Sequence, residues 1–194
     1  MHASNLIFIS FCFFFTPFLA SWQAKFLYDQ KGLQPDYVVV EVPRQSQTEL
    51  YQKAIKWIKY LPPRPEAAIL VEIENEMLRF RGGYARYLCI YSMDYAFCYD
   101  TYYTVQIEFK DDKYKFTPLI VEYLKPASGQ TGGTLVNVAL KGELESYNKN
   151  GKLKSSHVVV PRDVQELFNV LNAALKTYLE TGKKSQSQTE DDWE

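Results

Sequence analysis

Apolar and polar residues alternate most clearly over Tyr102–Tyr123. Tyr103, Val105, Ile107 and Phe109 recur with period two and so share one face of a strand; Lys113–Phe116 resumes the pattern after Asp111-Asp112. A two-residue turn at Asp111-Asp112 sets Phe109 against Tyr114 and Ile107 against Phe116. The apolar face then crosses both strands of a hairpin and requires a cover.

Two amphipathic stretches can supply it. Ser46-Gln47-Thr48-Glu49 is a capping box, in which the Ser46 hydroxyl accepts a free amide of the first helical turn and Glu49 reaches back. Leu50, Ala54, Trp57, Ile58 and Leu61 follow at helical spacing until Pro62-Pro63 and Pro65 end the helix. A second stripe, Val164, Leu167, Phe168, Leu171, Leu175 and Tyr178, predicts a helix over Pro161–Leu179 with Gly182 as its stop.

The remaining segments read mainly as strands. Asp36–Val42 is a β-branched run stopped by Pro43, and Lys25–Pro35 is an irregular lead-in. Ala67–Ile73 and Met77–Arg81 predict a hairpin turning near Asn75-Glu76, with Ile69, Val71, Ile73, Leu78 and Phe80 on one face and Glu72 opposite Arg79. Gly82-Gly83 permit a bend or bulge, and Ala85–Tyr91 is a further strand. Ala96–Lys110 is one long strand or two broken near Asp100, and Pro118 marks an edge or bulge in the last strand. Pro126–Thr134, rich in Gly and Ser, is the expected domain limit. The expected organisation is a domain over 36–124, an irregular connector over 125–160 with a hairpin signal at Asn148-Lys149-Asn150-Gly151, a helix over 161–181 packed on the sheet, and a polar, disordered tail over 183–194.

Composition adds compartment and exclusions. With 194 residues, 46% hydrophobic and 23% charged, the chain can bury a full core without a metal or a disulfide framework. A net charge of −1 argues against electrostatic capture of nucleic acid or of anionic membranes. Leu6–Ala20 is an apolar block shorter than the ~20 residues a spanning helix needs. Followed by Ala20, Ser21 and Ala24, it fits the core of a signal peptide over 1–24, although no Lys or Arg precedes it. Export to the periplasm or cell envelope is therefore expected, with membrane contact only through this leader. Its removal leaves Cys89 and Cys98. A turn at Met93-Asp94 places the two opposite each other at a non-hydrogen-bonded position, a disulfide candidate; the alternative is a pair of buried free thiols.

Tyr37–Pro43 (YVVVEVP), Glu49–Tyr60 (ELYQKAIKWIKY), Glu72–Gly82 (EIENEMLRFRG) and Tyr103–Thr117 (YTVQIEFKDDKYKFT) together resemble a family of exported bacterial domains of unknown function with a TBP-like fold. Leu50, Trp57, Gly82 and Asp111-Asp112-Lys113-Tyr114-Lys115-Phe116 carry the likeness, which reaches over roughly Tyr37–Tyr123. It implies an α+β fold of order β-α-β-β-β-β-α, a curved antiparallel sheet with helices on one face. Tyr87–Asp100 and its two cysteines stand out as insertion-like. Such a shape does not by itself imply DNA binding.

Candidate chemistry is sparse. With His2 in the leader, only His157 remains for a nucleophilic pair, and two Cys with one His fall short of a zinc site. Glu72, Glu74 and Glu76 lack a calcium-loop pattern, and Ser128–Gly133 lacks the Lys of a phosphate loop. No catalytic residue, metal or cofactor is assigned. The polar face of the hairpin carries Tyr102, Thr104, Gln106, Glu108 and Lys110, with Lys113 and Lys115 beside them, and suits a peptide or glycan; its plain alternative is a solvated sheet face. Two functions follow as expectations. One is an exported non-catalytic binding or structural module of the cell envelope, with a protein, peptide or glycan partner and no nucleic acid. The other is a hydrolase or isomerase using Glu108, Asp111 and Asp112, which requires a concave site and a raised carboxylate pKa.

Overall fold

Two 16-residue strands, β5 (Met77–Ser92) and β6 (Tyr95–Lys110), form the hairpin on which the fold is built. The structure, a computed structural model, describes residues 25–61, 68–93, 95–127 and 132–183; the expected leader and most of the expected tail fall outside these. β1 (Leu27–Asp29) pairs with β2 (Gly32–Gln34) in a small separate hairpin. β3 (Val38–Glu41), α1 (Gln47–Lys59) and β4 (Ala68–Ile73) precede the long hairpin, and β7 (Lys113–Pro126), β8 (Gly133–Asn137) and α2 (Val160–Thr181) follow it. The main sheet is antiparallel, in the order β3-β7-β6-β5-β4. β8 lies beyond β3 on the same edge of β7, since β3 pairs with Lys113–Phe116 and β8 with Glu122–Pro126.

Both helices pack on one face of this sheet. Ser46 caps α1 in the expected box, its amide donating to Glu49 Oε2 at 2.9 Å and its hydroxyl accepting from the Glu49 amide at 3.3 Å. The backbone bond from Ser46 holds the Glu49 carboxyl below its usual range. Leu50, Ala54, Trp57, Ile58 and Leu61 are all buried, as is the α2 stripe from Val164 to Tyr178. Trp57 meets Phe80 edge-on at 5.8 Å, Phe80 meets Tyr103 at 6.2 Å, and Ile107 lies in the same cluster, so helix and hairpin share one core. The Tyr114 hydroxyl, buried beneath α2, donates to Asn172 Oδ1 at 2.8 Å. Gly82 has a steric reason: a Cβ there would lie 2.4 Å from the Tyr103 hydroxyl oxygen. α2 ends at Gly182 in the left-handed conformation, φ 69°, its amide bonded to the Tyr178 carbonyl at 2.8 Å.

The β6–β7 register is the expected one, with Phe109 opposite Tyr114 and Ile107 opposite Phe116. Pro118 sits at a bulge, because Val105 pairs with Pro118 while Thr104 pairs with Ile120. Four segments differ from expectation. The β4–β5 turn spans Glu74-Asn75-Glu76, with Asn75 at φ 62°, and pairs Ile73 with Met77 and Val71 with Arg79. That one-residue shift puts Val71 and Ile73 on the outer face, where both are exposed. Glu72 turns towards α1 and accepts a hydrogen bond from the Tyr51 hydroxyl instead of facing Arg79.

Residues expected as separate strands and an insertion are the two ends of one hairpin, interrupted by a bulge between Tyr84 and Leu88. Cys89 and Cys98 stand in register there and are joined by a disulfide, with Cα atoms 4.0 Å apart. The irregular lead-in is the β1–β2 hairpin. Phe26, Tyr28 and Leu33 are buried, and Asn169 on α2 bonds both the amide and the carbonyl of Phe26 at 2.9 Å. The expected domain limit is the β7–β8 hairpin, where Pro126 pairs with Gly133. Further along the connector, Val138 and Leu144 enter the core and Tyr147 bridges to Leu153.

Candidate functional site

The outer face of the sheet, away from both helices, divides in two. At one end Tyr102 and Thr104, expected in solvent, are only 9% and 5% exposed. Their neighbours in register cause this: Thr104 lies beside Arg81, and Tyr102 beside Gly83 and Glu122. The Arg81 guanidinium lies 4.8 Å from the centre of the Tyr102 ring and pairs with Glu122 at 3.2 Å. Long side chains from flanking strands thus roof over the central one. These two residues leave the candidate surface.

At the other end Gln106, Glu108, Lys113 and Lys115 do gather, and Arg79 joins them. Arg79 Nη2 donates to Gln106 Oε1 at 2.7 Å, and Gln106 Nε2 donates to Glu108 Oε1 at 2.9 Å. Lys115 Nζ donates to the same Glu108 oxygen at 3.0 Å and sits 4.6 Å from the centre of the Tyr37 ring. Burial pushes the Glu108 carboxyl up, but the bonds from Gln106 and Lys115 outweigh it and hold the group below its usual range. This ladder runs across three strands, and Lys113 lies at its β7 end. Val39 on one side and Ile73 and Met77 on the other bound an open depression of about 1110 Å³.

The acidic turn has a structural duty. Asp111 Oδ1 accepts the Gln47 amide at 2.8 Å, and Asp112 Oδ1 accepts the amides of Arg44 and Gln45. The Asp112 amide donates to the Gln45 carbonyl, and its own carbonyl accepts from Val42. Both carboxylates therefore clip the β3–α1 connection to the hairpin. A hydrolase or isomerase needs a carboxyl raised towards neutrality, whereas Glu108 is lowered and both aspartates are taken up by backbone amides. Acid–base chemistry finds no support in these three groups.

His157 lies elsewhere, in a short 3-10 turn (Ser155–His157), with Nδ1 2.8 Å from the Ser156 hydroxyl. The cavity beside it is about 10 Å³, no larger than one water, and leaves no space for a substrate. Among the described residues no group of three His, Cys, Asp or Glu could hold a metal ion, and no helix is long and apolar enough to cross a membrane.

A second concavity, about 390 Å³, opens between α2 and the outer end of β5. Sequence patterning did not single out its polar residues, because their grouping is made by tertiary packing. Asp163 is buried on the first turn of α2; burial raises its carboxyl, while Arg162, bonded to Oδ1 at 2.8 and 3.0 Å, pulls the other way. The Tyr87 hydroxyl donates to the Asp163 carbonyl at 3.1 Å and ties strand to helix. The one advance signal was an acidic residue in the first turn of a helix.

A curved antiparallel sheet with two helices on one face defines an α+β fold of the TBP-like class. Two solved structures share it. One is a DUF4468 family protein from Bacteroides ovatus ATCC 8483, 13% identical, with a TM-score of 0.57, covering 82% of this chain and 95% of that one. The other is a TBP-like protein from Parabacteroides distasonis ATCC 8503, 10% identical, with a TM-score of 0.51, covering 79% and 99%. The likeness extends well beyond Tyr37–Tyr123, and at these identities it is one of fold alone. No protein-family model matches the sequence, and no curated protein matches it.

Proposed function

We propose that this protein is an exported, non-catalytic binding module of the cell envelope that receives a protein, peptide or glycan on the outer face of its sheet. The carrying observation is the depression between Val39 and Ile73. There, exposed aliphatic side chains flank a ladder in which Arg79, Gln106, Glu108 and Lys115 already satisfy one another. A partner can cover the apolar flanks without stranding those polar groups, the combination that interfaces favour. The apolar leader-like block at Leu6–Ala20 supports export.

The test places a photo-crosslinking residue at Val39, at Ile73 or, as a control, at Leu27, which is exposed on the small β1–β2 hairpin. The protein is made in cells with its leader, and adducts are sought in the envelope fraction. A discrete adduct from both sheet positions, absent from the control and lost on adding Lys115→Glu, is expected. No adduct from either position, or the same adducts from all three, overturns the proposal.

A further inference from the structure

The geometry points to a second binding site, for a small ligand that joins an ammonium group to an apolar body, in the cleft between α2 and the outer end of β5. The cleft shares no lining residue with the outer-face depression, so this site stands apart from the proposed partner surface. Its volume of about 390 Å³ falls in the range of ligand pockets, roughly 300–1,000 Å³. At ~30 Å³ per liquid water it has room for about a dozen waters, enough for a single ring and a short chain.

Three features select the chemistry. The floor is apolar and buried, built from Leu167, Leu171 and Ala174 on successive turns of α2. One wall is aromatic: the Tyr84 and Tyr87 rings lie 5.6 Å apart, and such rings attract a cation over their faces. The mouth is acidic on balance, with Asp163 and Glu166 against Arg162. Arg162 spends its guanidinium on Asp163 through Nε and Nη2, whereas Glu166 makes no hydrogen bond or salt bridge among the described residues. A ligand ammonium between Glu166 and the tyrosine wall, with its apolar body on the leucines, leaves the Arg162–Asp163 pair intact. A carboxylate ligand would meet the uncompensated Glu166 charge instead. The Cys89–Cys98 disulfide braces the strand wall against β6, and the Tyr87 hydroxyl on the Asp163 carbonyl ties that wall to α2 before any ligand arrives.

The experiment titrates the full chain, disulfide intact, with phenethylammonium and with its carboxylate counterpart 3-phenylpropionate, followed by calorimetry and by methyl NMR of Leu167, Leu171 and Ala174. Saturable one-to-one binding of the ammonium is expected, about tenfold tighter than the carboxylate. Glu166→Gln should reduce that preference several-fold. Ala174→Leu should abolish binding by filling the floor. Val170→Lys, at an exposed position on the rim, should reverse the preference without touching the core, and it decides the matter should the filled variant not fold. Absence of saturable binding, equal affinity for the two probes, or a preference unmoved by Val170→Lys overturns the inference.

Discussion

The two ends of the β5–β6 hairpin achieve stability by different means. At the near end, Leu78, Phe80, Val105 and Ile107 are fully buried under the helices. At the far end the same inward stripe outruns its cover: Thr101 is buried, Tyr99 half-buried, Phe97 49% exposed and Tyr95 71% exposed. Met93 in the turn is 93% exposed. A two-stranded ribbon without a covered face is marginal in water. Cys89 and Cys98 are bonded at the point where that cover gives out, beyond the bulge at Tyr84–Leu88 and next to Leu88, the last fully buried residue of β5. Where burial fades, a covalent cross-link takes over the task of keeping the strands together.

That contrast can be broken by experiment. The largest effect belongs to the near end: Phe80→Ala should cost about 3–5 kcal/mol by denaturant titration, because it empties a site packed by Trp57 and Tyr103. Phe97→Ala, at the exposed far end, should stay within about 1 kcal/mol. Equal losses for the two would dissolve the distinction. Next comes the cross-link. Replacing both cysteines by serine should cost about 2–3 kcal/mol for a separation of 9 residues. Hydrogen exchange should show the loss concentrated in Leu88–Tyr99, with the amides around Phe80 and Ile107 slowed as before; uniform acceleration along both strands would contradict it.

A smaller effect tests the near end's cover. Ser46→Ala removes the cap of α1 and should cost about 1 kcal/mol, leaving far-end exchange unchanged when corrected for global stability. The smallest concerns pH. Burial lowers the His157 pKa below its ordinary 6.5, the Lys154 charge lowers it further, and Glu145 opposes both. The unfolded chain therefore takes up the proton first as pH falls. His157 supports folding fully above about pH 6.5, and that support is lost as pH drops through the folded value. His157 sits beside Leu88 and Ile90, so the loss should appear as lower far-end protection factors in mild acid, after correction for the intrinsic pH dependence of exchange, and His157→Gln should flatten the profile.

Much of the near end was readable in advance, for physical reasons. The spacing Leu50–Ala54–Trp57–Ile58–Leu61 and the alternation Tyr103–Val105–Ile107–Phe109 each bury one face, and each is long enough to fix its period. Shorter or looser signals failed. β1 and β2 have three residues each, too few for a period, and depend on Asn169 from a helix far along the chain. At β4 a three-residue turn replaced the expected two, and a single residue of slippage exchanged the faces of Val71, Ile73 and Glu72. Of the candidate surface, Gln106, Glu108, Lys113 and Lys115 lie where alternation puts them. Tyr102 and Thr104 do not remain accessible, because the reach of Arg81 from the next strand is invisible to a one-dimensional pattern. The α2 cleft was equally hidden, since Tyr84 and Glu166 meet only after the chain has folded back.

The clip at Asp111-Asp112 has a practical corollary for anyone splicing foreign sequence into this scaffold. Both turns bounding β6 are short and on the surface, which ordinarily marks a permissive graft point. The one at Met93, itself 93% exposed, is the better choice. A reporter or epitope inserted there would hang from a stapled stem, whereas the same cargo between Asp111 and Asp112 would unhook the start of α1 from the hairpin it is meant to cover.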